Sequence, residues 1–283
     1  MAYETILYDV KDRVATIVLN RPEKMNALSR KLQDEVVAAL KEGEADPQVH
    51  CFIVKGAGRC FSAGYDLTPA PQAQQPVHGA RRRSITDDIA GLRSTVERWL
   101  TIWNLRKPVV AQIHGYCLAG GNDLAGVCDI TIAAEDAVFG HPQVRATGLN
   151  MVHTEPFLMG PTRAKYMLLT GLNISGREAE RMGLVTKAVP KEELEAEVQR
   201  IAEAMAKIPI PLLEVNKHAV NRAFEIMGIR QATQAAIEFD AIAHFEDSVR
   251  DFLDMIQKEG VTKYLTKRDA PFRDYRTAEK KPR

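Results

Sequence analysis

Gly115, Gly120 and Gly121 interrupt the stretch "KPVVAQIHGYCLAGGNDLAGVCDITIAAEDAVFG", Lys107 to Gly140, and put a tight turn between a strand and a helix start. Free N–H groups at such a start favour negative charge over the turn. That spacing fits an anion-binding turn, a tight packing corner or an active site. Asn122 or Asp123 is placed to cap the short helix, which runs to Val127. A second glycine loop, "KGAGRCFSAGYDL", lacks the third glycine of a dinucleotide fingerprint, because Phe61 stands there, and it has no Lys-Ser or Lys-Thr pair for a phosphate loop. His114 and His141 have no partner histidine at metal spacing and read as hydrogen-bonded structural residues. Cys117 reads as a buried inert thiol, since no base stands beside it in sequence.

Strands and helices must hold these loops in place. Ile6 to Asp9 and Val14 to Leu19 alternate as a hairpin turned at Lys11-Asp12. "NRPEKMNALS" is an irregular loop, after which Ser29 caps a helix from Arg30 to about Glu42. Cys51 to Val54 is a buried strand. Thr68 to about Ser84, rich in Pro, Gln and Arg, reads as a mobile surface loop. A helix follows from Ile85 to Leu105. Val109 to Ile113 and Ile130 to Ala134 are the strands on either side of the glycine turn. Pro156 to Leu169 reads as one helix, and Ser175 to Met182 as a short capped helix ended by Gly183. "LVTKAVP" is the last strand. Helices then run from Lys191 to about Leu253, so the α/β part ends near Pro190.

At 283 residues, with 45% hydrophobic and 27% charged residues, the chain builds one large core or a core with an appendage. A net charge of +1 makes no case for nucleic acid or an anionic membrane, and Arg81 to Arg83 read as a solvated run. Cys51, Cys60, Cys117 and Cys128 lie far apart, which favours reduced thiols over disulfides or zinc. The opening residues do not read as a signal peptide, no apolar run is long enough to span a membrane, and "KKPR" is not a peroxisomal address, so a cytoplasmic location is expected.

Six ordered pieces resemble the crotonase family, the enoyl-CoA hydratase/isomerases: "VLNRPEKMNALS", "GRCFSAGYDL", "KPVVAQIHGYCLAGGNDLA", "CDITIAAEDAVFGHPQV", "LLTGLNISGREAERMGLVTKAV" and "YLTKRDAPF". The resemblance implies an α/β spiral of ββα units over residues 1–190 that carries an acyl-CoA site, and a helical C-terminal region, 191–283, that packs trimers, or hexamers as dimers of trimers. It implies an acyl-CoA thioester as substrate, in fatty acid metabolism, with no metal and no cofactor beyond the substrate's own coenzyme A. Two backbone N–H groups would stabilise the thioester enolate, those of Tyr65 and Gly120. The side chain of Tyr65 then has nothing to do beyond packing. CoA would meet Met25, Ala27, Ala63, Gly64, Asp66 and Leu67, and Lys267 would meet its phosphates. Without the resemblance, Lys267 is an ordinary exposed lysine.

Hydration wants two carboxylates, one for water and one for the α-proton. The first family position is Asp123, which also reads as a cap of its own helix, and the second is Gln143, an amide that cannot accept a proton. Glu155 or His153, in "NMVHTEPF", is placed to supply the missing base. The competing readings are a charge in a first helical turn for Glu155 and a surface histidine for His153. The resemblance thus implies a hydratase or isomerase, with a carbon–carbon hydrolase, a decarboxylase or a non-catalytic CoA-binding subunit as alternatives.

Overall fold

The computed structural model describes residues 3–68 and 84–274. The proline- and arginine-rich stretch after Thr68, including Arg81 to Arg83, and the closing "KKPR" lie outside the described residues. The elements in chain order begin with strands β1 (Ile6–Lys11) and β2 (Val14–Leu19), helix α1 (Arg30–Ala45), strand β3 (Cys51–Gly56) and helix α2 (Ile85–Asn104). The middle of the chain holds β4 (Val109–Ile113), β5 (Tyr116–Leu118), α3 (Gly120–Gly126), β6 (Ile130–Ala134) and β7 (Val138–Gly140). Next come α4 (Glu155–Leu158), α5 (Pro161–Thr170), β8 (Ile174–Ser175), α6 (Gly176–Met182) and β9 (Lys187–Val189). Among the described residues, five helices then follow: α7 (Leu194–Ala206), α8 (Ile210–Ile226), α9 (Ile229–Ala243), α10 (Asp247–Glu259) and α11 (Val261–Asp269).

The main sheet has the order β1-β2-β3-β4-β6-β9, antiparallel at β1/β2 and parallel thereafter. Its inner strands are near-continuous apolar runs, as a parallel sheet buried on both faces requires. The smaller sheet, β5-β7-β8, forms a second layer. Bridges between Ser62 and Cys117, and between Leu28 and Tyr65, extend that layer through the loops. Each turn of the chain therefore sends a loop from the main sheet into the second layer. The functional loops meet there.

Side-chain caps start the helices where the sequence places them. Ser29 accepts from Leu32 N, and Ser84 and Ser175 form capping boxes with Asp87 and Glu178. Three expectations need correction. The single helix from Pro156 to Leu169 is two helices, broken at Gly160, whose φ of +79° leads into Pro161 at the first helical position. The glycine-turn helix starts one turn earlier than a cap at Asn122 or Asp123 allows, because Ala119 is its N-cap. Asn122 Nδ2 instead donates to the carbonyls of Cys117 and Gly140. The C-terminal helices also run to Asp269, well past Leu253.

One apolar core serves sheet and helices alike. Leu194, Val198 and Ala202 of α7, Leu213 of α8 and Ile237 of α9 belong to the same buried cluster as Phe52, Trp99 and Val110. Lys217 of α8 reaches into it, with its ammonium 2.8 Å from Asp129 and donating to the Ile102 carbonyl. No helix among the described residues is long and apolar enough to cross a membrane.

Candidate functional site

Two bends interlock at the edge of the second layer. The first follows β3, where Ser62 Oγ donates to the Asn26 carbonyl and accepts from Gly64 N, while Ala63 N donates to the Met25 carbonyl and Leu28 N to the Gly64 carbonyl. The second is Ala119-Gly120, with Ala119 held at φ +50°, an unusual conformation for a residue with a side chain. A Cβ on Gly64 would come within 2.8 Å of Ala119 Cβ, and one on Gly120 within 2.6 Å of the Tyr65 ring. Only glycine permits this approach. Neither Tyr65 N nor Gly120 N donates to a carbonyl in the hydrogen bonds of the described residues.

Asp123 lies one turn into α3 and is buried. Its Oδ2 accepts from the Tyr65 hydroxyl at 2.8 Å, and Trp99 Nε1 donates to that hydroxyl at 3.0 Å. An indole N–H only donates, so the phenol oxygen accepts from it and turns its own proton to Asp123. Val152 N reaches Asp123 Oδ1 at 3.4 Å. Burial, then the neighbouring Glu155 charge, push the Asp123 carboxyl up to about 7, against the pull of His141, Tyr65 and Val152 N. The Tyr65 side chain is thus not mere packing, because it orients this carboxyl. Asp123 does not cap its helix.

Behind Asp123 lies a second polar group. Glu155, in the first turn of α4, is fully buried with Oε1 2.8 Å from His141 Nε2, and Asn150 Nδ2 donates to Oε2 at 2.6 Å. Burial pushes the Glu155 carboxyl up, but His141 pulls it below the ordinary range. Burial likewise pulls His141 down, and Glu155 with Asp123 outweighs it and raises the imidazole. Gln143 Nε2 faces His141 Nδ1 at 3.2 Å and the Leu149 carbonyl at 3.4 Å. Its Oε1 is buried with no hydrogen-bond partner among the described residues. His153 Nδ1 lies 3.1 Å from Asn150 Oδ1, and burial holds its imidazole low. Asp123, Gln143, Glu155 and His153 therefore belong to one hydrogen-bonded neighbourhood.

The other named residues form a rim. Arg21, which the sequence reading passed over, joins both loops by donating to the Ala27 carbonyl at 2.6 Å and to Asp66 Oδ2 at 2.8 Å. Burial favours a neutral Asp66, yet Thr68 and Arg21 hold its carboxyl below the usual range. Met25, Ala27, Ala63, Gly64 and Asp66 are thereby brought together, and Leu67 is exposed beside them. Lys267 is exposed on α11, its ammonium 5.3 Å from the centre of the Phe252 ring. Among the described residues, no group of three His, Cys, Asp or Glu side chains is placed to hold a metal ion.

Trp99 and the buried acids Asp88 and Asp240 were also missed. The available signal was a polar residue on an otherwise apolar helical face. Asp240 shares its face with Thr233, Ala236, Ile237 and Ala241. Trp99 shares its face with Val96 and Ile102, and nothing in its spacing sets it apart from a core residue.

A family model described as enoyl-CoA hydratase/isomerase matches residues 9–276. A probable enoyl-CoA hydratase of Rhizobium meliloti (strain 1021) is 34% identical over 279 residues, 96% of this chain and 99% of the relative. A crotonyl-CoA hydratase of Syntrophomonas wolfei is 34% identical over 276 residues, again 96% of this chain and 99% of the relative. A crystal structure of an enoyl-CoA hydratase from Mycobacterium smegmatis matches with a TM-score of 0.88 at 32% identity, covering 96% of this chain and 95% of that one.

Proposed function

Because the chain belongs to the enoyl-CoA hydratase/isomerase family, we propose that it processes an acyl-CoA thioester through an enolate, with Asp123 as its main acid/base. The observation that carries this reading is a buried carboxyl poised near 7 beside the two interlocked bends. A group with that affinity takes and returns protons at neutral pH with little cost in either direction. The N–H groups of Tyr65 and Gly120 are the donors for the thioester oxygen. Their support is that neither has a carbonyl partner, and that Gly64 and Gly120 let the two bends touch. A pair of donors fixed in a dry site stabilises an enolate oxygen far better than water does, and one is typically worth about 3–4 kcal/mol.

Gln143 orients but does not accept protons. Glu155, with both oxygens engaged and its charge favoured by His141, acts on Asp123 as a fixed negative neighbour, and His153 orders Asn150. Met25, Ala27, Ala63, Gly64, Asp66 and Leu67 form the cleft for the CoA adenine, tied by Arg21, and Lys267 meets a CoA phosphate. The reading needs no resident cofactor. Exposed Val215, Val220, Ile226, Phe239 and Ile242 on α8 and α9 support packing of the helical region, 191–283, into homotrimers or dimers of trimers. Four free thiols suit a reducing cytoplasm.

The reading is tested by assaying purified protein with a panel of enoyl-CoAs, following loss of the conjugated thioester absorbance and analysing products. Chain cleavage, or tight CoA binding with no turnover of any thioester, would overturn it. Two variants refine it. Tyr65→Phe removes a donor to the Asp123 carboxylate, so the Asp123 affinity for its proton rises. The alkaline limb of the hydration kcat/KM against pH, set by loss of the Asp123 proton, should move up by about one unit, the worth of a charge-assisted hydrogen bond. An unmoved limb would detach the phenol from Asp123. Lys267→Ala should weaken CoA-thioester binding about tenfold with kcat unchanged, and should reduce the salt dependence of KM. Unaltered KM and salt dependence would return Lys267 to the ordinary surface.

A further inference from the structure

We infer that Asp240, carried in from the C-terminal helix α9, is the second proton-carrying carboxylate of this site and does the work for which Gln143 has no chemistry. This rests on the reading of Asp123 as the first. Asp240 is 4% exposed and stands at the end of a chain of polar groups. His244, one turn on along α9, has Nδ1 2.7 Å from Asp88 Oδ2 of α2 and Nε2 3.8 Å from Asp240 Oδ1. Asp240 Oδ1 also accepts from Leu149 N at 2.6 Å. It reaches in over Gly148, where a Cβ would come within 2.2 Å of that oxygen. Asp240 Oδ2, in contrast, receives no hydrogen bond from the described residues. A carboxylate this buried, with one oxygen held and the other unengaged, is arranged to meet something absent from the protein itself.

Its position points to the reacting atoms. The Leu149 carbonyl receives the Gln143 amide, so Asp240 and Gln143 hold the same short loop from opposite sides. Asp240 is near enough for its charge to act on the Tyr65 phenol, whose hydroxyl is bound to Asp123. An open cavity of about 310 Å³ borders the same loop at Gly148 and Leu149 and is walled by Ala243, three residues along α9 from Asp240, and by Phe252. The ionisable groups facing Asp240 are His244 on its own helix, Asp88 from α2 and Tyr65 from the first bend. Burial pushes Asp240 up, while His244 and Leu149 N oppose, and the net direction is up. Glu155 lacks these features, since both its oxygens are taken.

The step balances. A lone pair of water bonds the β-carbon as Asp240 Oδ2 takes the proton from that water. The C=C pair moves to the thioester oxygen as an enolate. Collapse of the enolate draws the proton of neutral Asp123 onto the α-carbon, giving the 3-hydroxyacyl thioester. Solvent then returns a proton from Asp240 to Asp123.

The experiment measures two reactions, hydration of crotonyl-CoA and exchange of the α-hydrogens of butyryl-CoA with D2O followed by proton NMR. Asp240→Asn should lower the hydration kcat by about 100-fold or more, with KM and α-exchange within about threefold of wild type. Asp240→Glu should recover hydration to within about tenfold of wild type. Hydration by Asp240→Asn within about fivefold of wild type overturns the proposal. So does equal loss of both reactions, or failure of the Glu variant to recover. Wild-type protein that exchanges but does not hydrate also overturns it, while leaving Asp123 standing. Asp123→Asn should abolish exchange, and persistence of exchange there sinks the underlying reading instead.

Discussion

Asp123→Asn is expected to lower kcat about 10²- to 10⁴-fold on any thioester the enzyme accepts, and at the same time to make the protein more stable above neutral pH. Both effects have one cause. The carboxyl is forced to sit buried beside the Glu155 charge, which lifts its proton affinity to about 7. A group whose folded pKa lies above its unfolded value helps the fold below the unfolded pKa, 3.8 for this carboxyl, and loses that help as pH rises through the folded pKa, about 7. Above that pH the wild type carries the full cost of ionising Asp123 in place, roughly 3–5 kcal/mol. Asparagine has no charge to ionise, and its Oδ1 still accepts from the Tyr65 hydroxyl. The variant and wild type should melt together near pH 4 and separate progressively toward pH 8, the variant higher, while kcat collapses. A variant with kcat near wild type removes Asp123 from the chemistry. A difference in Tm that does not grow with pH removes the account of its environment.

Glu155→Gln should act with the opposite sign on stability. His141 and Glu155 are both fully buried and 2.8 Å apart, so removing one partner leaves the other uncompensated. Losses of this kind are about 3–5 kcal/mol, here a fall in Tm on the order of 10 °C. The pH window follows from the two shifts. His141 is raised, so its contribution is complete below its unfolded value of 6.5 and fades as pH climbs through the folded one. Glu155 is lowered, so its contribution is complete above 4.5 and fades as pH falls. Circular-dichroism melts should therefore show the largest gap between pH 4.5 and 6.5. Catalysis carries an independent mark. Without the Glu155 charge, Asp123 holds its proton less tightly, and the alkaline limb of the hydration profile should move down. A stable variant, or a limb that stays in place, would separate Glu155 from Asp123.

The strands of the main sheet, the serine-capped helices and the family are legible in the sequence, whereas the short strands of the second sheet are not. Apolar runs such as Val109–Ile113 and caps such as Ser29 and Ser175 are local devices, readable because their partners lie within a few residues. The glycines at 64 and 120 were legible for the same reason, since a backbone approach excludes every side chain. The electrostatic character of the site comes instead from how distant segments pack together. Asp123 looked like a cap of its own helix. It is instead a carboxyl near 7, because the fold buries it and α4 brings the Glu155 charge to it from 32 residues downstream along the chain. Gly160 turned one expected helix into two, and α4, the short first piece, carries Glu155 to His141. Asp240 was invisible as a site residue, since one acid on an apolar helical face says nothing about which loop it will meet. Proton affinity depends on burial and on charges a few ångströms away in space, and neither is a property of spacing along a chain.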